Sequence, residues 1–453
     1  MIELSFPAKF RWQMEHQLGA SYPAFIDALQ QPLPVSIRVN PQKNGLPTTA
    51  LEPVLWCDTG FYLPERPVFT LDPRFQAGAY YVQEASSMLL AEALRQTARL
   101  ERPLRVLDLC AAPGGKSTLI ASLLTSESLL VCNEVIRSRV PVLKENLEKW
   151  GLPNVVVSNH DPEDFRALHG FFDLVLVDAP CSGEGLFRKD PEAVLEWSEE
   201  NVRICAARQQ RILTAAAPLL CDDGLLLYST CTYNDDENRQ NAQWLGEHGF
   251  EYLPLNLPEA WGVVDKTVGY QCYPHRVKGE GFFLSVFKKK QRSSPEMAVP
   301  RAFRSLKPVR NWQIKTLQPF LQQPDDFSFY VKPNGDVFAI PEALSADLRV
   351  VDAALQNKGF GLEMGTFKGD DFIPSHALAL STAVSRQLPG IELTKEDAMR
   401  FFKKENLVLN ESVKGWLLAR YDGLNLGWLK GVGNRVNNYL PKEWRIRMDI
   451  KEY

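Results

Sequence analysis

The chain has 453 residues, 45% hydrophobic and 23% charged, with a formal net charge of −4. That composition suits a globular protein of about three domains, and no apolar run approaches the roughly 18 residues a membrane span needs. Eight dispersed cysteines form no C-x-x-C pair, which argues against a zinc site or a disulfide framework, so neither a metal nor a membrane partner is expected.

The first residues, MIELSFPAKFRWQMEHQLG, are amphipathic and lack the basic start, apolar stretch and cleavage site of a secretion signal. A cytoplasmic monomer is the expectation. Residues 81–98, YVQEASSMLLAEALRQTA, carry an apolar stripe at helical spacing and predict a helix. LRVLDLCA follows as a short buried strand, then a Gly-Gly turn and the helix STLIASLL. The pattern repeats as strand SLLVCNE, helix SRVPVLKENLEKWG, strand NVVVSNHD, a short helix, strand FFDLVLVDAP, a long helical stretch and strand GLLLYSTCT. Such alternation predicts a doubly wound α/β sheet with ligands at the carboxyl ends of its strands.

FFLSVFKKK closes this block as a strand, and QRSSPEMAVPR reads as a linker. FSFYVKPNGDVFAIP predicts a hairpin turning at Asn334-Gly335. The tail, GWLLARYDGLNLGWLKGVGNRVNNYLPKEWRI, mixes aromatic, glycine and basic residues without helical period and suits a small β-rich module. Residues 288–453 carry a net charge of +7 and residues 1–287 a net of −11. An acidic front and a basic back suggest a catalytic part joined to one that binds an anionic ligand.

The first βα turn, LDLCAAPGGKST at 107–118, ends like a phosphate-binding loop. Cys110 stands where a Walker A loop needs its leading glycine, and the adjacent glycines break the dinucleotide pattern G-x-G-x-x-G. S-adenosylmethionine fits better, because its sulfonium carries no phosphate to wrap. Glu134 lies 20 residues after Gly114, the distance for a ribose-binding carboxylate, and Asp161 follows the third strand where an adenine contact is made. Acids at strand ends also cap helices, but Asp108, Glu134 and Asp161 at three successive strand ends favour a ligand.

DAPCSGEG (178–185) and STCT (229–232) each bring a cysteine to a strand end. Methylating C5 of a pyrimidine requires a thiolate to add first to C6, and a base then removes the C5 proton. Spacing alone does not order the two thiols. The segments LDLCAAPGGKS, DAPCSGEG, YSTCTY, SIRVN (36–40) and QEASSML (83–89) resemble those of the RsmB/Nop2/Sun family of RNA cytosine-C5 methyltransferases, over about residues 5–290. GDDFIPSHALAL and LGWLKGVGNRVNNYLP are similar to the RNA-binding extension of its RsmF-type members, which act on 16S ribosomal RNA.

The resemblance implies a Rossmann-like class I methyltransferase core at 81–290, an N-terminal helical and β RNA-binding extension at 1–80, and a linker at 291–300. An RNA-binding intermediate domain at 301–390 and a C-terminal PUA-like RNA-binding module at 391–453 follow. It also implies that Cys231 is the nucleophile, Cys181 assists product release, and Asp178 acts on the cytosine edge with Lys116 beside it. Cys110, Ala111, Ala112, Pro113, Gly114, Gly115 and Lys116, with Glu134, Arg139, Asp161 and Asp178, would line the S-adenosylmethionine site. Pro180-Cys181 resembles the element that DNA cytosine methyltransferases use, so the reversed order stays open. Glu134 stands where many members have Asp. Trp416, Tyr421, Trp428, Lys430 and Arg435 offer stacking and phosphate contacts to RNA. Cys57, Cys132, Cys205, Cys221 and Cys272 are expected to be structural. The alternatives are a transfer-RNA methyltransferase of the same family and a non-catalytic assembly factor.

Overall fold

The computed structural model describes residues 6–43, 46–290, 297–356, 358–405, 407, 412–433 and 435–448. Helices α1 (Ala8–Leu18) and α2 (Tyr22–Leu29) precede an antiparallel sheet of β1 (Val35–Val39), β2 (Glu52–Val54), β3 (Cys57–Leu63) and β4 (Tyr80–Val82), ordered β2-β3-β1-β4, with the short α3 (Pro73–Gln76) before β4. The predicted helix over 81–98 is shorter than expected. Tyr80–Val82 pairs with β1 as a strand, a 3-10 turn spans Ser86–Met88, and α4 covers only Leu89–Thr97. Cross-strand hydrogen bonds to Ile37–Val39 outweigh the helical propensity of the first residues.

The central sheet holds β5 (Arg105–Asp108), β6 (Leu129–Asn133), β7 (Val155–Ser158), β8 (Phe172–Asp178), β9 (Leu220–Thr230), β10 (Phe250–Tyr252), β11 (Val264–Asp265), β12 (Tyr270–Cys272) and β13 (Phe282–Lys289). Its order is β11-β12-β13-β9-β8-β5-β6-β7, with β10 pairing β13; β5 to β9 run parallel and β13 antiparallel to β9. Helices α5 (Gly115–Leu123), α6 (Val140–Trp150), α7 (Pro191–Glu196), α8 (Glu199–Ala216) and α9 (Arg239–Glu247) connect the strands. Successive strand side chains point to opposite faces. Val106, Leu130, Cys132, Leu174 and Leu176 pack with α4, α5 and α6, whereas Leu107, Val131, Val175 and Val177 pack with α8 and α9. Both faces are covered, so the strands read as continuous apolar runs. The chain goes β5, β6, β7 to one side and then returns to place β8 on the other. The crevice between β5 and β8 is therefore the topological switch point.

A third sheet contains β14 (Lys307–Pro308), β15 (Phe327–Val331), β16 (Asp336–Pro341), β17 (Leu362–Lys368) and β18 (Asp371–Pro374), with α10 (Asn311–Leu317), α11 (Ser345–Ala354) and α12 (His376–Leu380). Its β15–β16 hairpin turns at Asn334-Gly335 as predicted, with Gly335 at φ +94°. The fourth sheet is β19 (Gly390–Glu392), β20 (Val413–Tyr421), β21 (Leu424–Gly433) and β22 (Arg435–Asn438), with α13 (Lys395–Phe402) packed against it. Much of the anticipated linker, residues 291–296, lies outside the described residues. Ile37 and Tyr80 of the first sheet share a core with Met399, Phe401 and Leu417 near the C-terminus. No helix of the described residues is long and apolar enough to cross a membrane.

Candidate active site

The turn after β5 is built to bring backbone close to a ligand. Gly114 adopts φ +111°, a left-handed conformation open to glycine, and caps α5. The Ala112–Pro113 bond is cis. Ala111 N donates to Asn133 O (2.8 Å), Asn146 Nδ2 to Pro113 O (2.8 Å) and Arg139 Nη2 to Ala112 O (2.6 Å), so β6 and α6 hold the turn from outside. From within, the buried Arg38 donates to Thr118 Oγ1 (2.6 Å), Gly115 O (3.4 Å) and Gln83 Oε1 (2.8 Å) and lies over Trp150. Burial lowers the pKa of this guanidinium to about 10. The SIRVN and QEASSML segments thus act as supports for the turn. Cys110 is half-buried beside it, its thiol pushed up by burial first and then by Asp108, Asp178 and Glu134.

Asp108 closes β5 fully buried. Its Oδ2 accepts from Ser117 Oγ (2.6 Å), while its buried Oδ1 has no partner at full hydrogen-bond geometry among the described residues. Burial raises its pKa to about 7 against the Ser117 hydrogen bond. Glu134, at the end of β6, accepts from Ile136 N (2.8 Å) and pairs with Arg139 (3.4 Å). A carboxylate offers about four lone-pair sites, and these bonds leave two for a diol. Val135 and Ile136 are about half exposed (51% and 49%), an apolar surface beside that carboxylate. Arg139 is therefore more than a surface arginine, since it ties Glu134 to the Ala112 carbonyl. Asp161 caps the short helix Pro162–Leu168 and pairs with Arg211 (3.2 Å). Burial raises its pKa, but the Arg211 and Glu163 hydrogen bonds outweigh that and leave it low. Asp161 therefore acts as a helix cap held by Arg211.

β8 and β9 end side by side, with Asp178 opposite Ser229. Asp178 accepts from Lys116 Nζ at one oxygen (2.7 Å) and from Ser229 Oγ at the other (2.7 Å). Burial disfavours the Lys116 ammonium, yet the Asp178 carboxylate prevails and holds its pKa above the ordinary lysine value; Cys231 contributes in the same direction. The ammonium also lies 5.2 Å from the Phe282 ring. Three residues beyond Asp178 and one beyond Thr230, the two cysteines meet, with Cys181 Sγ and Cys231 Sγ 3.1 Å apart. The hydrogen bond to Cys231, followed by burial, pushes the Cys181 thiol well up. Either sulfur can donate in this contact, so the two thiols share one hydrogen bond at the mouth of the site.

Both cysteine loops are braced by acids that sequence reading did not single out. The fully buried Glu184 accepts from Thr232 Oγ1 (2.8 Å), Tyr233 N (2.9 Å), Asn234 N (2.9 Å) and Trp197 Nε1 (2.9 Å). Glu237 accepts from Ser182 N (3.0 Å), Gln209 and Asn234. Gly185 N donates to Cys231 O (2.8 Å), and a β-carbon at Gly185 would lie 2.7 Å from that oxygen. The acid in DAPCSGEG was visible as a letter, but nothing in its spacing revealed the donors that converge on it.

Four of the five cysteines expected to be structural, Cys57, Cys132, Cys205 and Cys272, are buried, and Cys221 is half-buried. The tail residues separate. Trp428 is 1% exposed and packs in a core with Leu418 and Phe372, so it is no stacking platform. Trp416 is half-buried, donates to Phe372 O (3.1 Å) and lies under Lys430. Tyr421 is half-buried with Arg74 above its ring, and Arg435 is exposed. Elsewhere, Lys404, Lys442, Arg445 and Arg447 line a groove of about 470 Å³, and none has a carboxylate partner among the described residues.

A family model described as 16S rRNA methyltransferase RsmB/F matches residues 97–288. Models described as the N-terminal domain of 16S rRNA methyltransferase RsmF and the methyltransferase RsmF PUA domain match residues 6–85 and 389–446. Ribosomal RNA small subunit methyltransferase F of Aliivibrio fischeri is 33% identical, covering 96% of this chain and 97% of the relative. Its Escherichia coli counterpart is 31% identical, covering 97% and 96%. A methyltransferase homolog from Pyrococcus horikoshii, known from its crystal structure, is 28% identical with a TM-score of 0.55, covering 63% of this chain and 96% of its own. Pyrococcus horikoshii NSun6, at 20% identity and a TM-score of 0.55 over 64% of this chain, shares the fold.

Proposed function

From the premise that the chain belongs to the RsmB/F family of 16S ribosomal RNA methyltransferases, we propose that it methylates C5 of cytosine in 16S ribosomal RNA through Cys231. The observation that carries this reading is the contact of Cys181 and Cys231 at the paired ends of β8 and β9, beside the Lys116–Asp178 pair. The relatives that span nearly the whole chain are named for the small ribosomal subunit, which disfavours a transfer-RNA substrate.

S-adenosylmethionine supplies the methyl group as an electrophilic sulfonium methyl. The turn from Cys110 to Lys116 would hold its amino-acid part, with the buried Asp108 Oδ1 close by. The two free lone pairs of Glu134 suit the ribose hydroxyls, Val135 and Ile136 give the adenine an apolar face, and Asp161 lies at the next strand end. Arg139 holds Glu134 and the turn in register.

Cys231 adds as thiolate to C6 of the cytosine, within electrostatic reach of the Lys116 ammonium. Negative charge develops at N3, where the Lys116–Asp178 pair can present a proton. C5, made nucleophilic by that addition, would take the sulfonium methyl as its S–C bond breaks and S-adenosylhomocysteine leaves. Removal of the C5 proton expels Cys231, and Cys181, in contact with that sulfur, assists the release. A target cytosine within a helix would first be flipped out.

Gly185→Ala crowds the Cys231 carbonyl and shifts the nucleophile. The expected result is a loss in kcat of about 10–100-fold with the S-adenosylmethionine Kd unchanged, read by radiolabelled transfer and calorimetry. For the RNA, the first sheet, the third sheet and the C-terminal sheet serve as binding surface around the core, and the groove of Lys404, Lys442, Arg445 and Arg447, whose cations have no carboxylate partner among the described residues, contacts phosphates. Replacing all four by glutamine should flatten the slope of log K against log salt by about 2–3 while leaving kcat at saturating RNA unchanged. Filter binding across a salt series checks it. The reading as a whole is tested by transfer of labelled methyl to 16S ribosomal RNA and sequencing for 5-methylcytosine. No incorporation into naked RNA or small subunits would overturn it.

A further inference from the structure

We propose that Cys181 and Cys231 form a peroxide-oxidisable dithiol that closes to a disulfide, silencing the site until it is reduced. The two sulfurs lie 3.1 Å apart, only about 1 Å beyond the bonded distance of about 2.05 Å. Among the described residues they are the one pair of thiols in contact; all eight cysteines are free, and Cys57, Cys132, Cys205 and Cys272 are buried. Cys181 and Cys231 are partly exposed, so a small oxidant can reach them.

The loops that carry them cannot drift apart easily. Ala179 N donates to Ser229 O (2.9 Å), Gly185 N to Cys231 O (2.8 Å), and Ser182 Oγ bonds Thr232 Oγ1 (3.0 Å). Contacts on both flanks of each sulfur keep the partners within reach, so capture is intramolecular and fast. Cys231 is partly exposed and in contact with a second thiol, so a sulfenic acid formed there has its resolving partner already in place.

The Cys231 thiolate attacks hydrogen peroxide; an S–O bond forms, the O–O bond breaks, and hydroxide leaves to be protonated as water. The Cys181 sulfur then attacks the Cys231 sulfur. An S–S bond forms, the S–O bond breaks, and the departing hydroxide takes the Cys181 proton as a second water. Two thiols are oxidised by two electrons and one peroxide is reduced. With no neighbouring thiol, the sulfenic acid continues to sulfinic and sulfonic acid, which do not return. Cys181 thus has a second role, protecting the nucleophile by capturing its first oxidised form. The effect on activity rests on the catalytic reading of Cys231; the thiol chemistry does not.

The test is titration of the purified full-length protein with hydrogen peroxide, followed by intact mass, non-reducing peptide mapping and methyl-transfer assay. The expected wild-type result is loss of two hydrogens, a cross-linked peptide pair containing residues 181 and 231, near-complete loss of transfer, and recovery with dithiothreitol. Under the same treatment Cys181→Ser should gain two or three oxygens on Cys231, and dithiothreitol should not remove them. Wild-type Cys231 gaining oxygens without a cross-linked peptide overturns the proposal, and this result needs no variant to fold. A cross-link that forms while transfer continues overturns instead the catalytic reading, and the switch with it.

Discussion

Cys231→Ser should abolish methyl transfer, by on the order of 10⁴-fold or more, and should form no covalent complex with RNA. Cys181→Ser should behave in the opposite way, with attack and methylation proceeding but release failing, so that a protein–RNA complex accumulates and migrates slowly on a denaturing gel. The reason lies in the pair's geometry. The Cys181 thiol is pushed up by its hydrogen bond to Cys231 and by burial, which disfavours its thiolate. Cys231 sits at the end of β9, within electrostatic reach of Lys116. A hydroxyl at 231 is too weakly acidic to add to C6 under the same conditions. An adduct that accumulates with Cys231→Ser and not with Cys181→Ser would reverse the assignment, making Cys181 the nucleophile.

The second large effect belongs to Glu184. Glu184→Ala leaves the hydroxyl of Thr232, the amides of Tyr233 and Asn234 and the indole of Trp197 without their acceptor, in a place water does not reach. Several stranded donors at about 1–3 kcal/mol each, softened by rearrangement, give an expected destabilisation of about 3–5 kcal/mol. Urea denaturation measures it. Glu184→Gln retains a side-chain oxygen for some of the donors but brings two N–H groups of its own. Its destabilisation should be smaller, while kcat still falls because the loop after Cys231 is less firmly held. Stability and kcat both unchanged in Glu184→Ala would show that the loop is held by other contacts, such as those of Glu237 and Asn238.

These acids mark the limit of what was legible in the letters. The strand–helix alternation, the glycine turn and the hairpin at Asn334-Gly335 could be read because each is governed by local rules: side-chain period, φ preference and turn chemistry. That Asp178, Cys181 and Cys231 lie at strand ends could be read from the strand–helix pattern, whereas their roles were implied by the family resemblance. The segment beginning at Tyr81 could not, because pairing with β1 depends on a partner some forty positions earlier in the chain. Trp428 looked like a stacking surface and is core, because Leu418 and the third sheet close over it.

By itself the sequence determined the order of elements, the character of the cofactor turn and the kinds of side chain available for chemistry. Tertiary structure alone decided which of them meet. It set the two sulfurs 3.1 Å apart across fifty residues of chain, gave Asp178 both Lys116 and Ser229, and turned Glu184 and Arg38 from unremarked letters into supports. Local propensities act over a few residues, whereas a buried carboxylate or guanidinium is satisfied by whatever donors and acceptors the whole fold delivers to it.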